Sequence, residues 1–207
     1  MSINSLRDLN AAHLDVLKEI GNIGSGNAAT ALATLLNTPV DIDIPNIRLI
    51  DFSQVSQYLG GADSLALGMS VFLEGDIEGM MLQVMQKDFA SKLINTFYPK
   101  EITDLKDIEE MDLSVLRESS NITTAAYINS LAKMTDLFIN ISPPSDYMDT
   151  VGNILTIPSS NFSSLGKQVL FIDEKLRVAN TEIRSSMILI LEIQSLMKLF
   201  DKLGIQY

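Results

Sequence analysis

"LDVLKEIGNIGSGNAATALATLL", residues 14–36, carries leucines and isoleucines at helical spacing, and its outline returns 99 residues later, without a gap, as "LSVLRESSNITTAAYINSLAKMT", residues 113–135. Leu14 falls over Leu113, Val16 over Val115, Leu17 over Leu116 and Ile23 over Ile122. Such a repeat decides the fold, because each half must be the same structural unit and must bury its apolar faces in the same way. The polar residues keep register too: Asp15 over Ser114, Glu19 over Glu118, Asn22 over Asn121 and, further on, Pro45 over Pro144. "SVFLEG" (residues 70–75) meets "VLFIDE" (residues 169–174) at the same offset. The register then slips by about eight residues, so that "GMMLQVM" (residues 79–85) faces "SMILILE" (residues 186–192). A longer hairpin loop, "DEKLRVANTEIRS", is the expected place for that insertion, since loops accept added length cheaply.

Outward from the repeat, the spacing predicts a helix over residues 6–36, ended by Asn37-Thr38-Pro39. Residues 40–50 alternate like a half-buried strand broken at Pro45, which belongs on an edge or a bulge. A short helix is expected over residues 52–59, a hairpin from residues 65–74 and 77–86, and an amphipathic helix over residues 87–97. The charged stretch 99–112 joins the halves and is short for a flexible tether. The expected class is mixed α/β (α+β), with two pseudo-twofold related halves. Each half reads helix, strand, helix, β-hairpin, helix, the strands forming one mainly antiparallel sheet packed by the long helices. That makes residues 1–207 one domain of two repeats, about 5–98 and about 108–205; two independent small domains are the alternative.

The chain has 207 residues, 46% of them apolar, which is enough for a sizeable core. A net charge of −11 with no clustered basic stretch argues against nucleic acid as a partner. The absence of cysteine removes disulfides, thiolate nucleophiles and cysteine zinc sites. "MSINSLRDLN" lacks a signal-peptide core, and the most apolar run, residues 187–191, is far below the ~20 residues of a membrane span. A soluble cytoplasmic protein without membrane insertion is expected. His13 is the only histidine and receives no role, no dedicated metal site is expected, and the chain should need no cofactor of its own. Gly21, Gly24 and Gly26 do not make a phosphate loop, because no strand precedes them and no Lys-Ser/Thr follows. Ser25 has no neighbouring histidine to activate it as a nucleophile.

On a helix, Asp15, Glu19, Asn22 and Gly26 stack along one face, and so do Ser114, Glu118, Asn121 and Ala125. Both stripes end in a small residue. Each interior glycine costs roughly 0.5–1 kcal/mol relative to alanine, so a thinned helix that lets a partner's reacting group approach Glu19 and Asn22 is the expected return. A Glu and an Asn three apart are ordinarily only a solvated face; their recurrence is what singles them out, and shared ancestry without shared function is the competing explanation.

Asp or Ser, three residues, Glu, two residues, Asn, twenty-two residues, Pro: this pattern, satisfied by both copies, resembles the signature of the CheC-type chemotaxis phosphatases. The two-copy layout resembles the CheC branch rather than the single-copy, dimerising CheX branch or the FliY branch with its added flagellar switch domain. The resemblance implies an enzyme that hydrolyses the aspartyl phosphate of the response regulator CheY. Asn22 and Asn121 would orient the attacking water, and Glu19 and Glu118 would engage a lysine of the regulator. Asp15, Ser114, Gly26 and Ala125 would contact the docked substrate, Pro45 and Pro144 would shape the site, and Mg2+ would sit on CheY. Residues 143–155 resemble the short helix by which CheC binds CheD. Ser145 is the expected N-cap, and Asp149 and Gly152 are expected on one face as the CheD contact that stimulates the enzyme. A monomer suffices for two sites. The alternative is a non-catalytic adaptor that sequesters CheD or docks on phosphorylated CheY.

Overall fold

In a computed structural model of the chain, residues 10–162, 168–178 and 181–204 are described. The expected helix start at residue 6 and the outer ends of both repeats lie outside them, and a helix running unbroken over residues 6–36 is corrected, because Asn10 is extended (φ −90°, ψ 177°) and caps a helix that begins at Ala11. The elements in order are α1 (Ala11–Leu36), β1 (Val40–Ile42), β2 (Asn46–Asp51), α2 (Val55–Tyr58), β3 (Leu65–Gly75), β4 (Gly79–Met85), α3 (Lys87–Phe97), α4 (Glu110–Thr135), β5 (Ile139–Ile141), β6 (Ser145–Thr150), α5 (Val151–Ile154), α6 (Thr156–Asn161), β7 (Gln168–Val178), β8 (Thr181–Leu191) and α7 (Ile193–Lys202).

The two long helices are each 26 residues and begin and end 99 residues apart. At the start of α1, His13 N donates to Asn10 Oδ1 (3.0 Å) while Asn10 N donates to His13 Nδ1 (3.1 Å), a capping box with histidine in the place of the usual acid. The ring is buried and stacks on Phe200 at 4.9 Å between centroids. The histidine is therefore structural. Both helices stop at a left-handed residue, Asn37 (φ 47°) and Asp136 (φ 54°), the residue types that enter this conformation most readily after glycine. The joining stretch is pinned to α4 by the buried Asp112, which accepts from Lys100 Nζ (2.5 Å), Tyr98 Oη (2.5 Å) and Glu109 N (2.7 Å). These contacts hold the Asp112 pKa below the ordinary carboxylate value although burial pushes the other way.

The described strands form one antiparallel eight-stranded sheet in the order β1-β7-β8-β4-β3-β5, with β2 also on β7 and β6 also on β3. The two hairpins meet through β4 and β8, and each half sends its first two strands across to the other. β1 and β2 pair with the second hairpin, β5 and β6 with the first. Pro45 falls in the break between β1 and β2, on the sheet edge, where its missing N–H breaks no ladder bond.

Two expectations are corrected. The insertion in the second half does not lie in a loop: β7 and β8 stay paired out to Val178 and Thr181, and the added rungs from Leu176 to Val178 are what β1 pairs with. Residues 145–150 are not the start of a helix. They form β6, paired along β3 from Ser145↔Ser70 to Thr150↔Leu65, and the N-cap of the one-turn α5 is Thr150, whose Oγ1 accepts from Asn153 N (3.3 Å). A ladder to a neighbouring strand outweighed the local capping tendency of Ser145.

β4 is buried throughout, as a central strand must be when both faces are covered. Its alternate residues face different cores. Met80, Leu82 and Val84 pack under α2 and α5, whereas Met81 and Met85 pack on the long-helix side. On that side a polar row crosses the sheet. Glu174 lies between Ile172 and Leu176, Ser185 between Met187 and Ile183, and Gln83 between Met81 and Met85. In each strand the two apolar neighbours belong to different clusters of the core. Gln83 Nε2 donates to Ser185 Oγ (3.0 Å), and Glu174 accepts from Ser25 of α1 (2.5 Å) and from Tyr127 of α4.

Candidate functional site

The first polar stripe lies on the solvent side of α1. Asp15, Glu19, Asn22 and Gly26 are all exposed, with Ile23 beside them at 37% exposure. Lys18 Nζ contacts Asp15 Oδ1 at 3.3 Å. The glycines divide by face. A Cβ at Gly21 would lie 1.9 Å from Ile47 Cδ1 of β2, and one at Gly24 would lie 2.4 Å from the Tyr127 ring of α4; at Gly26 nothing lies within 4 Å. The expectation that the three glycines together thin the site face is therefore corrected. Gly21 and Gly24 admit core side chains, and only Gly26 opens the exposed stripe.

The second stripe is less uniform. Ser114 and Glu118 are exposed, Asn121 and Ala125 half-buried, and Ser114 Oγ donates to Glu110 O of its own helix (3.0 Å). Glu118 and Asn121 share a hollow of about 320 Å3 with Arg117, Ser142, Pro143 and Pro144, so the helix residues and the distant proline come together here. Ala125 instead lines a groove of about 430 Å3 between the long helices, with Asn27, Ile122, Asn129 and Lys133. The first half is built differently. Pro45 is buried, and the hollow along β2, about 280 Å3, is lined by Leu14, Lys18 and residues 47–50 without Glu19, Asn22 or Pro45. Ser119, Ser120, Thr123 and Thr124, where the second helix departs from the first, are all buried and leave the stripe untouched.

Asp149 and Gly152 lie on different elements, the end of edge strand β6 and helix α5, so they do not share a helical face. Asp149 is exposed. Its Oδ1 accepts from Thr150 N (2.7 Å) and Asn153 Nδ2 (2.9 Å), which lowers its pKa. Gly152 is half-buried and donates its N–H to Ala62 O (2.8 Å), an oxygen that an added Cβ would meet at 3.2 Å. Tyr147 is exposed at 37%, while Val151 and Leu155 are buried.

The chain is 30% identical over 195 residues to the CheY-P phosphatase CheC of Bacillus subtilis, an alignment covering 92% of this chain and 93% of that protein. The chain belongs to the CheC-like family. The family's profile matches residues 13–47, the span that holds the first Glu, Asn and Pro. A second relative, the flagellar motor switch phosphatase FliY of Bacillus subtilis, is 31% identical over 152 residues, covering 69% of this chain and 37% of that longer protein. In fold, the chain is similar to the crystal structure of Thermotoga maritima FliY, with a TM-score of 0.74, 21% identity and coverage of 95% and 98% of the two chains.

Two groups of this CheC-like chain escaped the sequence reading. Arg117 donates to Asp146 Oδ1 (2.5 Å) and to Glu110 Oε1 (2.7 Å), both carboxylates raising its pKa. Glu110 and Arg117, seven apart on one helix face, were a visible signal, whereas Asp146 is brought in by the sheet. The Ser25–Tyr127–Glu174 cluster joins three elements and left one trace: a Glu on the apolar-alternating face of a strand.

Proposed function

We propose that the chain is a protein phosphatase that hydrolyses the aspartyl phosphate of CheY, one domain of two repeats acting as a cytoplasmic monomer. The observation that carries this reading is the recurrence of a solvent-accessible Glu and Asn, three residues apart, at matching positions of two equal helices, with Glu19, Asn22 and Glu118 exposed and Asn121 half-buried. The names and extents of the two curated relatives support it. An aspartyl phosphate has a good leaving group, so catalysis consists mainly of holding a water in line and managing charge. A carboxamide offers both a donor and an acceptor, which suits Asn22 and Asn121 to orient that water. Glu19 and Glu118 hold a lysine of the regulator, Asp15, Ser114, Gly26 and Ala125 receive the docked surface, Pro45 and Pro144 shape the backbone beside it, and Mg2+ belongs to CheY.

Decay of phosphorylated CheY, followed with and without the protein, tests this directly. Glu19→Ala with Asn22→Ala is expected to lower the acceleration in part, and adding Glu118→Ala with Asn121→Ala to abolish it, each tenfold loss being ~1.4 kcal/mol of barrier. A fully active quadruple variant would discard the mechanism, and an inactive wild type would favour the adaptor reading.

We also propose that CheD binds at Asp149 and Gly152 and raises the activity. Asp149 is exposed on β6, an edge strand of the sheet among the described residues, which supports that placement. Asp149→Lys should abolish CheD affinity in calorimetry. Asp149→Asn, whose amide oxygen can keep both turn contacts, separates loss of charge from loss of the turn. Undiminished CheD affinity in Asp149→Lys would move the contact elsewhere.

A further inference from the structure

Arg117 sits in the wall of the hollow that holds Glu118 and Asn121, yet its guanidinium does not lie free for an anion. Nε meets Asp146 Oδ1 at 2.5 Å, Nη1 meets Glu110 Oε1 at 2.7 Å, and Nη2 reaches Glu110 Oε2 at 3.4 Å. Two carboxylates on one arginine neutralise it and leave little field for a phosphoryl group; a fork-shaped donor held on both sides is a brace. The brace has a direction. Glu110 is in the first turn of α4, Arg117 two turns on, and Asp146 is on β6, two residues past Pro144. The ion pair therefore ties the helix that carries Glu118 and Asn121 to the strand that follows Ser142, Pro143 and Pro144, the opposite wall of the same hollow. Ser142 fixes the near end of that wall, its N donating to Phe72 O (2.9 Å) and its Oγ accepting from Phe72 N (2.9 Å).

Among the described residues, the first half has nothing equivalent. At the matching positions stand Ala11, Lys18 and Ile47. Lys18 is 54% exposed and turns to Asp15 on its own helix, and Ile47 packs into the space over Gly21. Helix and strand are joined there by an apolar contact, and the hollow along β2 is lined without Glu19, Asn22 or Pro45.

We infer that Arg117, through Asp146 and Glu110, is a positioning residue for the second site alone, holding the Ser142–Pro144 wall against Glu118 and Asn121 so that the docking hollow is formed before the regulator arrives. The inference rests on the phosphatase reading. It makes the two sites different in kind: the second is pre-shaped, whereas the first is an open helix face.

The test uses two full-length parents, one with Glu19→Ala and Asn22→Ala, leaving the second site, and one with Glu118→Ala and Asn121→Ala, leaving the first. Into each go Asp146→Asn and, separately, Arg117→Leu, with kcat and KM for phosphorylated CheY and the melting temperature measured. In the second-site parent both substitutions should lower kcat/KM about tenfold, mainly by raising KM, because the wall shapes docking and not the chemical step. Asp146→Asn should leave the first-site parent's constants unchanged. Equal losses in both parents, tracking the melting temperature, would reduce the ion pair to general stability and overturn the inference. Unchanged constants in an active second-site parent would overturn it too, with the phosphatase reading intact. If neither parent accelerates decay, the phosphatase reading fails and the positioning role falls with it.

Discussion

Glu174 is 3% exposed, lies on β7 beneath both long helices, and accepts hydrogen bonds from Ser25 and Tyr127. Burial raises its pKa to about 6 from an ordinary 4.5, the two hydroxyl donors opposing the shift only in part and Asp173 adding to it. A carboxyl whose folded value is raised contributes fully to stability below its unfolded value. That contribution is lost as pH climbs through the folded value, here between about 4.5 and 6. The difference corresponds to about 2 kcal/mol. Glu174→Gln is accordingly expected to be more stable than wild type at pH 8, by up to about that amount, with the gap closing towards pH 4.5. Urea denaturation at the two pH values measures it; a variant no more stable at pH 8 would mean that the buried carboxylate carries no penalty. His13 shows how a residue with no catalytic partners is used instead, closing a helix start and packing on Phe200.

Within α1, three glycines have two different reasons to exist. Tyr127 occupies the space a side chain at Gly24 would need, and its ring is held by the Glu174 cluster, so it cannot retreat freely. Gly24→Ala should destabilise by about 1–3 kcal/mol through overpacking. Gly26 faces open solvent inside the helix, where alanine restores propensity. Gly26→Ala should stabilise by roughly 0.5–1 kcal/mol while weakening the docking of phosphorylated CheY at the first site. Thermal melts of the two variants, with KM for Gly26→Ala in the first-site parent, separate the roles. A stabilised variant with unchanged KM would remove Gly26 from the docking surface. At the same scale, β6 demonstrates how weak a capping cue is beside a strand ladder. Ser145 to Thr150 hold six paired positions along β3, whereas a single N-cap is worth about 1 kcal/mol.

At the scale of the molecule, the exchange of strands sets the unit of folding. Cut after residue 98, the first half keeps the β3–β4 hairpin but leaves β1 and β2 without β7, and exposes the side of β4 that β8 covers. Unpaired edges and an uncovered central strand are costly and aggregation-prone. Residues 1–98 and 108–207 expressed separately should each fail to give a folded monomer, and should regain native far-UV dichroism when mixed. Size-exclusion chromatography with dichroism checks this, and a stable monomeric half would restore the reading of two independent small domains.

The sequence by itself determined whatever depends on local period and on recurrence. The two long helices (though not the start of α1 at Ala11), the hairpins, the helix over residues 87–97 and the edge break at Pro45 follow from apolar spacing and proline chemistry, which act within a few residues. The polar stripes were legible for the same reason, since helical spacing fixes which residues share a face. Tertiary structure alone decided which strand each half lends to the other, why the second hairpin is longer, and that Gly21 and Gly24 serve Ile47 and Tyr127. It also decided that Arg117 meets Asp146, and that a hollow forms around Glu118, Asn121 and Pro144 while Pro45 is buried. Those outcomes depend on side chains distant in sequence competing for the same space, and no local pattern records who occupies it.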